Sequence, residues 1–353
     1  MKPFLTLLLD SFRSLKSGTI FWVTLSLSLL VALVFLSIGF DDQGISILFG
    51  AKTWESDILS KGSPFAHVGY LLVFSNFVAG GWLTFVAIIL ALISCASIFP
   101  DAMNEGTAGM LMTKKPSRLQ VFLAKLTGSL FFVLVQVGLF VVIVFIAFRW
   151  RLGVWSFSLF WYVPAVLLVF LNLYSFMVFI GIKTRSVMTA ILLTMALWGV
   201  SAGLNWVTGL VELQYESSRY EYVQVEPEEG EEVEEDKEPS SNGYPEMEMV
   251  EKEPNESIKD WADTLKAIHT VFPKNAPIMK EAEKKLLSSE IEGLAEAQSM
   301  DSMLGSDEDR REIQREIEKA TKEDSWFYSI GSSCLFALVM LTLAGWTFCR
   351  RDY

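Results

Sequence analysis

Six runs of apolar residues punctuate the chain: Thr19–Phe40, Phe77–Phe99, Leu119–Phe148, Leu159–Ile182, Val187–Val207 and Trp326–Phe348. Each is close to or beyond the roughly 20 residues that a helix needs to cross the hydrocarbon of a bilayer. The pattern predicts an all-α integral membrane protein of six transmembrane helices, with both ends of the chain on one side. Before the first run, Phe4, Leu5, Leu8, Leu9, Phe12 and Leu15 alternate with Asp10, Arg13 and Lys16 at helical spacing. Residues 1–18 are therefore expected as an amphipathic interfacial helix, with a simple extension of the first span as the alternative. The first run is too long for a signal-peptide core and no small-residue cleavage pattern follows it, so it reads as a retained span. Asp41–Phe74 reads as a short connection with Lys61-Gly62-Ser63-Pro64 as its turn.

Between the second and third runs lies a polar interruption, Phe99–Lys125, reading FPDAMNEGTAGMLMTKKPSRLQVFLAK. Asp101 follows Pro100 at the expected start of a short helix, where a carboxylate suits the positive end of the helix dipole. That helix is expected to give way between Thr113 and Pro116, because the residue before a proline is pushed out of the α region. Ser117 and Gln120 then have the spacing of a capping box opening the third run.

The other long polar stretch is residues 210–325. Its first half, from Val225 to Ser257, is acidic, rich in Pro and Gly and nearly free of large aliphatics, and is expected to be disordered. Solvated repulsion explains that run better than a calcium site, which needs a fixed turn and regularly spaced ligands. In the second half Ile258, Trp261, Ala262, Leu265, Ile268 and His269 fall near one helical face, Pro273 and Pro277 interrupt, and Glu281–Met303 and Asp307–Glu323 are helical in pattern. These helices are expected to return the chain to the last span.

Composition supports this reading: 52% of the 353 residues are hydrophobic and 20% charged. Net charge alone misleads, because the −12 is segregated; residues 210–325 hold 33 of the 41 acidic and 14 of the 29 basic residues. A mildly basic membrane part thus carries an acidic soluble part, and nucleic acid is not a partner for a surface of that sign. Lys2, Arg13, Lys16, Lys114, Lys115, Arg118, Lys125, Lys183, Arg185, Arg350 and Arg351 all fall on the face shared by the termini, while the opposite short connections carry Lys52, Lys61, Arg149 and Arg151. The positive-inside rule then puts both termini in the cytoplasm of a plasma (inner) membrane protein and residues 210–325 outside. Arg149 and Arg151, flanked by Trp150 and Trp155, are expected to snorkel at the outer interface. Cys95, Cys334 and Cys349 lie in or beside apolar runs and imply no disulfide framework.

Candidate chemistry is sparse. No Gly-x4-Gly-Lys-Ser/Thr phosphate loop is present, so any ATPase driving this protein is another chain. Gly199-Val200-Ser201-Ala202-Gly203 fits the Gly-x-Ser-x-Gly nucleophile elbow, which would suit an intramembrane hydrolase. Such a serine needs a base, most often histidine, and His67 and His269 both lie outside the predicted spans. The same residues fit Gly-x-x-x-Gly, the close-packing pattern of membrane helices, and packing is the better reading. Asn76, Gln136, Asn172 and Asn205, in or near spans, either line a pathway or bond between helices. No catalytic, cofactor or metal site is expected; a lone His269 near Asp263 is not a metal site, and Asn255-Glu256-Ser257 is a glycosylation sequon only in a cell that glycosylates.

These residues resemble the membrane-spanning permease subunits of type-2 ABC transporters. Glu105, Gly106-Thr107, Leu111-Met112, Pro116-Ser117-Arg118 and Lys125 look like that family's acidic residue, Gly-Thr, hydrophobic pair, Pro-x-Arg turn and lysine, with Leu-Met where Leu-Leu is commoner. The entry LLLDSFRSLKSGTIFW, the run GIKTRSVMTAILLTMALW and the ending CRRDY are also similar. The resemblance covers the six spans and not the acidic insert. It implies a permease of an ATP-driven exporter paired with a cytosolic ABC ATP-binding subunit and a second permease chain, identical or not, surrounded by membrane lipid. ATP and Mg belong to the partner, and this chain carries no cofactor. Residues 99–125 would be the coupling segment, with Asp101, Glu105, Gly106, Lys114, Lys115, Pro116, Ser117, Arg118 and Lys125 as candidates for ATPase coupling. The domain reading is then an interfacial helix at 1–18, spans one to five at 19–209, an extracytoplasmic acidic insert at 210–325, and the last span and tail at 326–353. A different class of protein, a non-transporting scaffold whose acidic segment binds partners or cations, is the alternative.

Overall fold

The first span shows how a helix chooses a face when nearly all its residues are apolar. In α1 (Thr19–Ser37) the buried positions include Thr24, Ser28 and Ala32, spaced four apart, with Phe21 and Phe35 at the two ends of the stripe. Trp22, Val23, Leu29, Leu30 and Leu33 face outward. Lipid is as apolar as leucine, so large aliphatics gain nothing by turning inward, and small residues let the helices approach. The computed structural model describes residues 19–41, 44–55, 64–103, 117–218, 220–224, 247–251, 256–296 and 326–350. The expected interfacial helix at 1–18 and the helix at Asp307–Glu323 lie outside these residues.

Among the described residues six helices are long and apolar enough to cross a membrane: Thr19–Ser37, Ala66–Ala102, Arg118–Leu152, Phe157–Thr184, Val187–Tyr215 and Ser329–Arg350. The all-α, six-span reading therefore stands, with corrections at the connections. After α1 comes a small antiparallel sheet, β1 (Gly39–Asp41), β2 (Gly44–Ile47) and β3 (Lys52–Glu55), pairing Phe40 with Ile45 and Ile45 with Trp54. The hydrophobic pattern of so short a segment gives no warning of it. The second span begins at Pro64, much earlier than the apolar run suggests. Proline suits a first helical position, where its missing N–H is not needed. The span opens as α2 (Pro64–Val73), widens into a π-helix at Phe74–Val86 and continues as α3 (Ala87–Cys95). Thr84 Oγ1 bonds to the carbonyl of Ala79, five residues back, at 2.7 Å. A side chain at Gly80 would be tight here, since a Cβ would stand 3.2 Å from the Ser75 carbonyl oxygen.

A short helix, α4 (Ile98–Ala102), precedes the undescribed part of the polar interruption. The third span, α5 (Arg118–Leu152), is 35 residues long, about 52 Å at 1.5 Å per residue. Its stretch between Lys125 and Arg149 holds no charged residue and is about 35 Å long, a close match to a hydrocarbon core of about 30 Å. A 3-10 turn at Phe157–Trp161 leads into α6 (Tyr162–Thr184), and a tight turn into α7 (Val187–Ser217). Arg185 closes α6 in the left-handed conformation, φ 54°, which costs a side-chain-bearing residue about 1 kcal/mol. Arg185→Gly should therefore raise the melting temperature slightly, read by thermal unfolding in detergent, with a gain of about 0.5–1 kcal/mol.

The chain divides into two compact units, Met1–Gly199 with Pro273–Tyr353, and Val200–Phe272. In the larger, α6 is the central helix: Val169, Phe170, Asn172, Leu173, Tyr174 and Ser175 are all buried. It packs against α3, α4 and α5 and against two later helices, α9 (Asn275–Glu296) and α10 (Trp326–Arg350). Two expectations are corrected at α9. Pro277 does not interrupt a helix but sits in its first turn, where a missing N–H is harmless. Nor is α9 merely a polar return to the last span. It runs along the bundle, with Asn275 bonded to Asn172, midway along α6, at 3.2 Å.

The smaller unit holds the end of α7, an antiparallel pair β4 (Tyr220–Gln224) and β5 (Met247–Glu251) in which Tyr222 faces Met249, and α8 (Glu256–Val271). Strand β5 lies within the stretch expected to be disordered; the pairing partner just after α7 orders it, a local effect that charge density does not report. Most of the acidic run, 225–246, is outside the described residues. On α8 Ala262 is buried but Trp261 and Ile268 are exposed, so the expected apolar face is only partly covered.

Candidate functional site

The two described ends of the Phe99–Lys125 segment are fastened to the same place. Phe99, Pro100 and Ala102 of α4 are buried. The Phe99 ring lies 5.3 Å from Phe122 on α5, 6.3 Å from Phe348 on α10 and 6.4 Å from Tyr174 on α6, and Phe122 lies 5.8 Å from Phe348. Edge-to-face and tilted rings at such spacings are favourable beyond the area they bury. Pro100 closes against α6, where a Cβ at Gly181 would meet its ring at 3.5 Å. Beneath Phe99, the Tyr174 hydroxyl bonds to Ser129 Oγ of α5 at 2.7 Å.

The predicted residues distribute as follows. Asp101 is exposed, near the end of α4, so the helix starts at Ile98 and not at Asp101; Pro100 is tolerated inside because its position is in the first turn. Ser117 is the N-cap of α5, and both halves of the capping box with Gln120 are formed at 3.2 Å. Arg118 reaches across to donate to the Cys349 carbonyl at the end of α10, 3.0 Å away; a cation suits a helix C-terminus. Lys125 is half-buried one turn before Ser129, whose hydroxyl donates to its carbonyl. Glu105, Gly106, Lys114, Lys115 and Pro116, with the expected break at Thr113–Pro116, lie outside the described residues. Sequence reasoning missed the aromatic cluster and Cys349. The rings are visible in the sequence, but their pairing comes from four separated elements.

At the opposite end of the bundle, buried polar groups gather around α9. Glu290 bonds to His67 Nε2 at 3.0 Å and accepts from the Ser156 hydroxyl. Burial raises its pKa, but the hydrogen bonds from His67 and Ser156 and the charge of His67 outweigh it and hold the carboxyl below the ordinary range. Glu283 accepts from Ser75 of the π-helix, and the Lys274 N–H donates to Ser333 at 3.2 Å. Arg151 donates to the Leu36 carbonyl at 2.8 Å and lies over Phe49, while Arg149 caps its own helix through the Gly153 carbonyl and lies over Trp155.

The remaining motifs resolve plainly. Ser201 sits within the continuous helix α7, not on the strand-to-helix turn that a nucleophile elbow requires. A Cβ at Gly199 or Gly203 would meet nothing within 4 Å, so the close approach expected of Gly-x-x-x-Gly is not made among the described residues. Gln136 is buried with its Nε2 unpartnered among them, beside Thr24, Ser28 and Trp82; Asn76 bonds to its own helix and is exposed. No group of three or more His, Cys, Asp or Glu among the described residues is placed to hold a metal ion.

A family model described as ABC-2 type transporter matches residues 4–201, more than half of the chain and the whole of the Phe99–Lys125 segment. The chain belongs to the ABC-2 type transporter family. Neither curated proteins nor solved structures gave a match in the other two comparisons. An ABC-2 membrane domain is a permease, a transport component and not itself the ATPase, and the family normally works with a cytosolic ATP-binding subunit. The match ends before α9 and α10, so these two helices of this ABC-2 transporter stand outside the matched residues.

Proposed function

We propose that this chain is the permease subunit of an ATP-driven exporter, paired with a second permease chain and with a separate cytosolic ATPase that binds ATP and Mg. Residues 99–125 form its coupling segment, both termini are cytoplasmic, and residues 210–325 are connected on the extracytoplasmic side, with α9 reaching back along the bundle to Asn172. The supporting observation is the fastening of this polar segment at both ends to α5, α6 and α10 through Phe99, Phe122, Phe348 and the Arg118–Cys349 hydrogen bond. A displacement imposed on its exposed surface, including Asp101, is delivered directly to three spans. The chemistry lies in the partner, and this segment converts a push into helix movement.

The test is co-purification. The detergent-solubilised protein should recover an ABC ATPase, and Glu105→Ala with Arg118→Ala should weaken that recovery and the ATPase activity of the complex. Recovery of no ATPase with the unaltered protein would sink the reading, and full recovery and activity in both variants would sink the coupling role of residues 99–125. Deleting 226–256 should leave the ATPase association intact, whereas a scaffold working through its acidic segment would lose its partners.

A further inference from the structure

Helix α9 lies in step with the half of α6 nearer the Arg151 end of the bundle. Asn275, at its start, bonds to Asn172 at 3.2 Å, and the Lys285 ammonium stands 3.5 Å from the centre of the Trp161 ring. The two ties are about 15 Å apart along α9 and about 16 Å apart along α6 and the turn before it. The two helices therefore run side by side in opposite directions. Asn172 is midway between Trp161 and Lys183, a stretch of about 33 Å that matches a hydrocarbon core of about 30 Å. Trp155, Phe157 and Trp161 are exposed at one end of it, as in the aromatic belt at a membrane surface. Asn275 thus stands near the midplane and Lys285 near the membrane surface.

The residues between those two levels do not suit contact with lipid. One face of α9 is made by Ile278, Met279, Ala282 and Leu286, all buried. The opposite face carries Lys280, Lys284 and Ser288 at four-residue spacing, with Glu281 beside them; Lys280 and Ser288 are exposed, Glu281 and Lys284 half-buried. Lys280 is about 7 Å from the midplane, roughly half the depth of one leaflet's hydrocarbon. Side chains lean toward the N-terminus of a helix, which on α9 is the midplane end, so the Lys280 stem starts away from the surface. Glu281, a turn deeper than Lys285, has too short a stem to snorkel out. The first span shows the contrast, since Trp22, Val23, Leu29, Leu30 and Leu33 face outward from α1. Ionisable groups at such depth face a bundle interior or a water-filled cavity, and the side of α9 turned to the bundle is already filled by its apolar residues.

We infer that water from the Arg151 end extends down the outer face of α9 to the level of Lys280, making an aqueous inlet through half of the membrane. Lys280, Glu281 and Lys284 line it, and Ser288 stands at its mouth. A polar solute on that side then meets two lysines within the depth of the bilayer before it meets lipid. The permease reading is not needed for this inference, which rests on the spans and on the place of α9 among them.

The experiment uses the full-length protein in nanodiscs, carrying one added cysteine at a time. A cationic methanethiosulfonate that does not enter lipid is the probe, and peptide masses follow each site apart from the native Cys95, Cys334 and Cys349. Ser288→Cys reports the mouth. Leu30→Cys, about 9 Å below the Leu36–Arg151 bond on the outward side of α1, reports hydrocarbon. Lys280→Cys should react within roughly tenfold of Ser288→Cys and roughly a hundredfold faster than Leu30→Cys, because the reactive thiolate is suppressed in hydrocarbon. A Lys280→Cys rate closer to that of Leu30→Cys than to that of Ser288→Cys overturns the inference, whether lipid or a second copy of the chain covers the face. If Lys280→Cys fails to give monodisperse protein, Lys284→Cys is read against the same two references and decides in the same way.

Discussion

Phe99→Ala is expected to destabilise the protein by about 3–5 kcal/mol, the range for removing a large aromatic side chain from a packed core. The Phe99 ring is almost fully buried, at 1% exposure, and touches rings of α5, α6 and α10. Its loss leaves a cavity at the point where α4 meets the bundle, and Phe122, Phe348 and Tyr174 cannot all close on it, being held on three different helices. Thermal unfolding in detergent should show a drop of several degrees. Under the proposed coupling role, the same variant loses ATPase stimulation at temperatures where it is still folded. Phe99→Leu should recover much of the stability, since it refills most of the space. A Phe99→Ala protein of unchanged stability would mean that α4 does not pack as described.

Glu290→Ala should be the second severe change, costing about 3 kcal/mol, because it leaves His67 and Ser156 buried without their partner. Glu290→Gln preserves shape and should cost less. The two variants also separate in their pH dependence. The folded pKa of Glu290 is held below its ordinary value, so its contribution is complete above the unfolded value of about 4.3 and is lost as the pH falls through the lower folded value. Thermal unfolding from pH 7 to pH 3 should therefore show an acid-dependent loss in the wild type that Glu290→Gln lacks. An identical acid profile in both would remove Glu290 from that role.

Much of the fold is legible in the sequence, for a physical reason: a bilayer demands long uncharged runs and helical hydrogen bonding within each. The existence of six spans follows from that demand. Their ends do not, because helices continue beyond the apolar residues wherever something else satisfies them. Arg149 and Arg151 extend α5 through carbonyl contacts, and Pro64 opens the second span among residues that resemble a connection. Helix α9 is the largest departure. Its composition is that of a surface helix, and its place against α6 depends on individual pairs such as Asn172 with Asn275 and Ser75 with Glu283. No periodicity within one segment reports pairs of this kind. At the candidate site the capping box of Ser117 and Gln120 was readable, being a local pattern four residues long. The convergence of Phe99, Phe122, Tyr174 and Phe348 was not, since it joins residues far apart in the chain.

The third span is tied at both extremities to different neighbours. Its foot is held through Arg118 to the end of α10, and its head through Arg151 to the end of α1. The two ties are separated by nearly the whole helix, about 50 Å. A strut pinned in this way cannot slide along its axis without breaking one tie or taking a neighbour with it. The first and last spans are thereby linked to each other through α5, one at each of its ends.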